Sequence, residues 1–185
     1  MLIIASTGYS GTKFVAQKLD IEHEPRTDDY RYFWDFVRDP LLCENYIQER
    51  FTGEEQECNS NLLPHIDAIE YLFPECEIQH LVRNPYDTIR SFMSGTLFSS
   101  KDSRANAIKY SDEKQRFIKC VDWWVEWHTK LDKYELLRLE DLKGEPINQK
   151  PHSFPIYEEW EDWQKNYLLQ KADRLIHKYD YRNYR

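Results

Sequence analysis

Two kinds of segment alternate along the 185-residue chain. Short apolar runs suit buried strands, and longer stretches carry apolar residues at helical spacing. The first run, residues 1–5, enters a Gly/Ser/Thr turn and then residues 12–19. There Phe14, Val15 and Leu19 interleave with Lys13, Gln17 and Lys18, the pattern of an amphipathic helix. Residues 21–24 predict a short strand closed by Pro25. From 26 to 57 no single period holds. Tyr30, Tyr32, Phe33, Trp34, Phe36 and Val37 cluster, a helix is predicted over 41–51, and Glu54, Glu55 and Glu57 read as a solvated acidic stretch. The expectation is an irregular insertion over a pocket.

The second half is more regular. Leu62, Ile66, Ile69 and Phe73 predict a helix over 61–73, with Asn61 as its cap, Pro64 in its first turn and Pro74 behind it. Residues 78–83 read as a buried strand entering Asn84-Pro85-Tyr86-Asp87, where the three residue types Asn, Pro and Asp suit N-cap, N1 and N3 of a helix. Phe117, Cys120, Val121, Trp124, Trp127 and Leu131 predict a long helix over 112–132. A short strand over 134–139 and a proline-rich loop over 143–156 follow. The last helix, over 158–179, presents Trp160, Trp163, Leu168, Ala172, Leu175, Ile176 and Tyr179.

Strands alternating with helices predict one α/β domain over 1–185, with a mainly parallel sheet and helices on both faces. Ligands bind such sheets outside the carboxyl ends of the strands. Three segments aim polar groups there: residues 7–13 after the first strand, His23 and Glu24 after the second, and Arg83 after the third.

Charge and composition narrow the chemistry. A net charge of −8 argues against a duplex nucleic-acid partner, which needs a basic face. Cys43, Cys58, Cys76 and Cys120 form no CxxC pair and no zinc-spaced cluster, so reduced thiols and no metal site are expected. No apolar run approaches the ~20 residues that span a bilayer, and the first strand starts where a signal peptide would stand. No membrane association and a cytoplasmic location are the expectation.

Two constellations carry the candidate chemistry. In Gly8-Tyr9-Ser10-Gly11-Thr12-Lys13 a strand hands over to a helix N-terminus, whose unpaired N–H groups and dipole suit an anion. Ser10 and Thr12 add hydroxyls and Lys13 a cation. The loop is not a GxxxxGK[ST] phosphate loop, because Gly8 and Gly11 are too close and Phe14 follows Lys13. By itself it reads equally as a structural turn. In Arg83-Asn-Pro-Tyr-Asp-Thr-Ile-Arg-Ser91, Ser91 lies about two helical turns below the helix start, on the face beneath Arg83. A guanidinium and a hydroxyl there can share one phosphate. The plainer reading is a strand-end arginine and an ordinary helix serine.

Together the two elements resemble the sulfotransferases that use 3′-phosphoadenosine 5′-phosphosulfate (PAPS). Ser10-Gly11-Thr12-Lys13-Phe14 resembles their 5′-phosphosulfate loop. Arg83, Pro85, Asp87 and Ser91 resemble their 3′-phosphate site. Phe73-Pro74, Trp123-Trp124 and Leu139-Glu140-Asp141-Leu142 are weaker echoes, so the resemblance spans nearly the whole chain.

The resemblance implies a three-layer, P-loop NTPase-like α/β fold and transfer of a sulfuryl group from PAPS to a hydroxyl or amine, releasing PAP without a metal. It implies that Tyr9, Ser10, Gly11, Thr12, Lys13, Phe14, Arg83 and Ser91 bind the nucleotide. A basic residue usually precedes the Ser-Gly-Thr; Tyr9 stands there, so Lys13 is expected to supply the catalytic cation. The family's glycine-rich C-terminal nucleotide loop is absent, and Lys150 is the one evident stand-in. For the general base, Glu24 is the first choice and His23 the second, with Glu57 the other candidate; pairing of Glu24 with Arg26 or Arg31 is its structural alternative. The aromatics at 30–37 either line a pocket for a small-molecule or glycan acceptor or fill the core. A P-loop kinase and a non-catalytic nucleotide-binding protein are the competing functions.

Overall fold

The computed structural model describes residues 1–25, 40–101, 108–144 and 151–184. In chain order the elements are β1 (Leu2–Ala5), α1 (Thr12–Leu19), β2 (Glu22–His23), α2 (Pro40–Arg50), β3 (Gln56–Cys58) and α3 (Ile66–Leu72). They continue with β4 (Glu77–Val82), α4 (Pro85–Ser94), α5 (Glu113–Lys130), β5 (Glu135–Arg138) and α6 (Asp162–Lys178). The five strands form one sheet in the order β2-β3-β1-β4-β5, and every pairing is parallel.

Strand alternation splits the core into two layers. Ile3, Ala5, Ile78 and Val82 point to one face and pack with side chains of α2 to α6. Ile4, Leu81 and Cys58 point to the other, where Phe14, Val15 and Ala16 of α1 and Leu139 cover them. The helices therefore lie on both faces of the sheet. Among the described residues no helix is long and apolar enough to cross a membrane.

Two expectations are corrected. The acidic stretch is not wholly solvated: Gln56–Cys58 is a strand paired with both β1 and β2, and Glu57 is buried. Three residues with a carboxylate in the middle show no apolar alternation, and the carboxylate is tolerated because Arg50 binds both its oxygens, at 2.8 and 2.9 Å. The helix expected over 61–73 is a 3₁₀ turn, Ser60–His65, leading into the shorter α3. Pro64 sits inside that turn without an N–H to offer, and Asn59, not Asn61, is the cap, accepting from the Asn61 N–H. The aromatic cluster at 30–37, Arg26 and Arg31 lie outside the described residues.

The remaining helix starts follow ordinary capping. Asp112 accepts from the Gln115 N–H at α5, and Glu161 and Gln164 form a capping box at α6. The C-terminal end of α4 is closed from another element. The Arg116 guanidinium of α5 donates to the carbonyls of Phe92, Met93, Gly95 and Leu97 at 2.7–3.0 Å. This satisfies acceptors that a helix end leaves open and fixes α4, which carries Ser91.

All four cysteines are free thiols, three of them buried. Cys43 Sγ lies 2.8 Å from His65 Nδ1. Burial pushes the thiol up to about 11 and the imidazole down to about 3, so this is a neutral pair and not a thiolate–imidazolium.

Candidate active site

At the carboxyl end of β1 the chain turns through Ser6 to Gly11 with three left-handed residues: Gly8 (φ 79°), Tyr9 (φ 54°) and Gly11 (φ 82°). At Gly11 the requirement is doubled, since a Cβ there would also stand 2.7 Å from a Leu139 methyl. Gly11 is the N-cap of α1 and brings no side chain to cap it. The first-turn N–H groups therefore lack an intrahelical acceptor and, among the described residues, a capping side chain, and the first turn holds no acidic residue. Ser10 and Thr12 are buried, and Lys13 is exposed on the first turn. The Phe14 ring is packed into the smaller core, which leaves only its backbone to face a ligand.

On one side of this loop stand Arg83 and Ser91. The Asn84 side chain accepts from the Asp87 N–H at 2.8 Å and Pro85 occupies the first turn, so α4 starts as its sequence predicts. Arg83 Nη1 lies 3.2 Å from the Tyr9 carbonyl, to which it donates, and 3.4 Å from Ser91 Oγ. Ser91 Oγ in turn donates to the Asp87 carbonyl at 2.8 Å. One guanidinium thus ties the loop to the α4 hydroxyl. The Tyr9 ring turns away across α4, edge-on to Phe92 at 5.6 Å. It leaves no room beside it, since a Cβ on Gly95 would come 2.6 Å from the Tyr9 hydroxyl oxygen.

On the other side stand His23 and Glu24, brought close because β2 is separated from β1 only by β3. His23 Nε2 lies 3.0 Å from Thr12 Oγ1, inside the loop. Glu24 holds a left-handed backbone (φ 45°), uncommon for a residue with a side chain. Its N–H donates to the Cys58 carbonyl at 3.2 Å, and its carboxylate accepts from Ser60 Oγ at 2.5 Å. Ser60 also borders the loop, since a Cβ on Gly8 would lie 3.6 Å from its hydroxyl oxygen.

The structure therefore places Tyr9, Ser10, Gly11, Thr12, Lys13, Arg83, Ser91, His23 and Glu24 around one rim of the sheet. It does not bring Glu57 there as a free base: that carboxylate is buried and held by Arg50 and by Asn59 Nδ2 at 2.9 Å. Lys150 lies outside the described residues.

Three site-supporting residues escaped the sequence reading. Ser60 holds the candidate base. Glu140 accepts from the Asn84 N–H at 2.8 Å with one oxygen and from Tyr181 Oη at 2.7 Å with the other, locking the turn between β4 and α4. The Leu139-Glu140-Asp141-Leu142 echo was its only signal. His152 is the third. Burial and then the charges of Arg90 and Arg83 hold its pKa down, while Asp87 opposes them. The segment carrying it is pinned across α4, where Arg90 Nε donates to the Phe154 carbonyl and the Phe154 N–H donates to Ser94 Oγ, both at 3.0 Å. No sequence period marks either Ser60 or His152. Neither a scan against protein-family models nor a search of curated proteins matched this chain.

Proposed function

We propose that the protein is a PAPS-dependent sulfotransferase with a P-loop-like fold, moving a sulfuryl group to a hydroxyl or amine of a small-molecule or glycan acceptor. The observation that carries this reading is the Arg83 bridge. A strand-end arginine reaches both Ser91 and the backbone of the anion loop, so a cation-and-hydroxyl site and an uncapped helix N-terminus open on the same rim. Two anionic groups at the two ends of one nucleotide need that pairing.

The donor set fits such a ligand. Arg83 and Ser91 would hold the 3′-phosphate through charge-assisted bonds. The N–H groups at the start of α1, Ser10 and Lys13 would hold the 5′-phosphosulfate and stabilise charge that develops as it is cleaved. When bound, PAPS supplies the activated sulfuryl group. Glu24 would accept the proton of the acceptor, oriented for it by Ser60. His23 would orient the Thr12 hydroxyl.

Two variants separate binding from chemistry. Arg83→Met should weaken PAP binding by about 100-fold, in line with losing a charged hydrogen-bonding partner of ~3 kcal/mol. Glu24→Gln should leave PAP affinity within a factor of two and lower kcat by about 10² or more. Calorimetric titration with PAP and a sulfuryl-transfer assay read the two effects. A Glu24→Gln enzyme that turns over normally removes Glu24 as the base, and unchanged PAP affinity in Arg83→Met removes the 3′-phosphate assignment.

A further inference from the structure

Beneath the anion loop, two fully buried histidines form a hydrogen-bonded pair that the proposed reaction does not use directly. His80 projects from the middle of β4 and His128 from α5. His80 Nε2 lies 2.6 Å from His128 Nδ1. His128 Nε2 continues to Thr7 Oγ1 at 3.4 Å, Thr7 Oγ1 to Ser10 Oγ at 3.3 Å, and Ser10 Oγ donates to the Gly8 carbonyl at 3.0 Å. The chain of contacts therefore runs from the sheet interior into the loop. Trp124 and Tyr179 wall it in, with ring centroids 4.5 and 6.2 Å from that of His128.

The polarity of this chain follows from counting protons. The Gly8 carbonyl only accepts; Ser10 Oγ reaches it at 3.0 Å and Thr7 Oγ1 only at 3.5 Å, so the single Ser10 proton is spent on Gly8 and Ser10 accepts from Thr7. The single Thr7 proton is then spent, so Thr7 accepts from His128 Nε2–H. A neutral imidazole carries one N–H, so His128 Nδ1 is bare and accepts from His80 Nε2–H. Both rings are held neutral. Burial, with Asp132 opposing and Lys178 assisting, pushes His80 down to about 4, and burial followed by the neighbouring His80 lowers His128. The protons all point outward, towards the loop.

We propose that His80 and His128 are positioning residues that fix the donor direction of the Thr7 and Ser10 hydroxyls, so that Ser10 presents its proton to an anion in the loop. Arrival of the anion requires only that the Ser10 O–H turn from the Gly8 carbonyl to the ligand. With the opposite polarity Ser10 would donate inward and offer the anion a lone pair. The inference rests on the reading of this loop as the phosphosulfate site.

The test combines a spectroscopic signature with a matched pair of variants, using PAP and inorganic sulfate as probes of the full chain. Long-range ¹H–¹⁵N spectra of the imidazoles in the ligand-free protein at pH 7 should show both His80 and His128 as Nε2–H tautomers. A His128 Nδ1–H tautomer overturns the proposal, whether or not any variant folds. Thr7→Val keeps the side-chain shape and breaks the chain. It should weaken both PAP and sulfate about tenfold, while Thr7→Ser, which restores the hydroxyl, should bind within a factor of two of the native protein. Native-like affinity in Thr7→Val, or equal losses in both variants, overturns the relay alone. Failure of PAP to bind the native protein overturns the sulfotransferase reading and the inference with it.

Discussion

Lowering the pH from 7 to 5 is expected to cost the folded protein on the order of 4 kcal/mol, a large share of the 5–15 kcal/mol typical of a domain. Two histidines held neutral by burial, His65 and His80, account for this figure, and a third, His128, adds to it in the same direction. His65 is pushed down to about 3 and His80 to about 4 from the ordinary 6.5, and His128 is lowered as well. The sign follows from where the protons go. Below pH 6.5 the unfolded chain binds a proton at each of these rings and the native protein does not. Stability therefore falls as pH falls, at about 1.4 kcal/mol per pH unit for each group, until the folded value is reached. The groups facing the rings include Arg50, Cys43 and Tyr46 at His65, Asp132, Lys178 and Tyr179 at His80, and His80 and Tyr179 at His128. Asp132 alone favours a charged ring, and it does not prevail. Glu57 works in the opposite direction. Burial raises its pKa above 4.5, so it binds a proton first in the native state and returns part of the loss as pH falls. Urea titrations at pH 7, 6 and 5 measure the slope. A stability that stays flat over this interval contradicts neutral burial of the three rings.

Arg50→Met is expected to destabilise the protein by about 3–5 kcal/mol, the usual result of stripping one partner from a buried ion pair. Both side chains are almost wholly enclosed, at 4% and 2% exposure for Arg50 and Glu57. The strand that carries Glu57 lies between β1 and β2, so an uncompensated carboxylate there sits in the sheet itself. Without Arg50, a carboxylate in that place has Asn59 as a remaining partner and, among the described residues, no cation bonded to it. Glu57→Gln added to Arg50→Met should recover most of the loss, because the neutral amide keeps a hydrogen-bonding group beside Asn59 without burying a charge. Chemical unfolding of the native protein, the single variant and the double variant reads the effect. A loss below about 1 kcal/mol in Arg50→Met, of the size seen for exposed pairs, contradicts the buried pair.

Both predictions lie where the sequence is least legible. The helices with strong periods, over 113–130 and 162–178, are plain in the sequence because Trp, Phe and Leu recur on one face. Asn84-Pro85-Tyr86-Asp87 announces α4 because its cap is local chemistry, complete within four residues. β3 is invisible for the opposite reason. What makes Gln56–Cys58 a strand is pairing with β1 and β2, and what makes Glu57 tolerable is an arginine on α2. Pro64 marks a departure from α geometry, but its 3₁₀ outcome depends on packing. At the site, Arg83, Ser91 and the 8–13 loop are legible because motif spacing reports them. Ser60, Glu140 and the His80–His128 pair are not, since each acts through a partner between 36 and 56 positions away in the chain; Thr7 lies in the segment the sequence aims at the rim, but its contact with His128, 121 positions on, is not legible. Tyr9 stands where the resemblance expects a cation. The structure shows its carbonyl taking a bond from Arg83, so the position contributes its backbone to the bridge.

The central claim is that the rim joining the anion loop to Arg83 and Ser91 takes a nucleotide with anionic groups at both ends. Thermal unfolding of the full chain with PAP, with ATP and Mg²⁺, and without ligand tests it most directly. At 100 times its Kd, PAP should add about 2.7 kcal/mol and raise the midpoint by roughly 5–10 °C for a chain of this size. Stabilisation by PAP and not by ATP with Mg²⁺ is the predicted result; stabilisation only by ATP with Mg²⁺, or by neither, contradicts it.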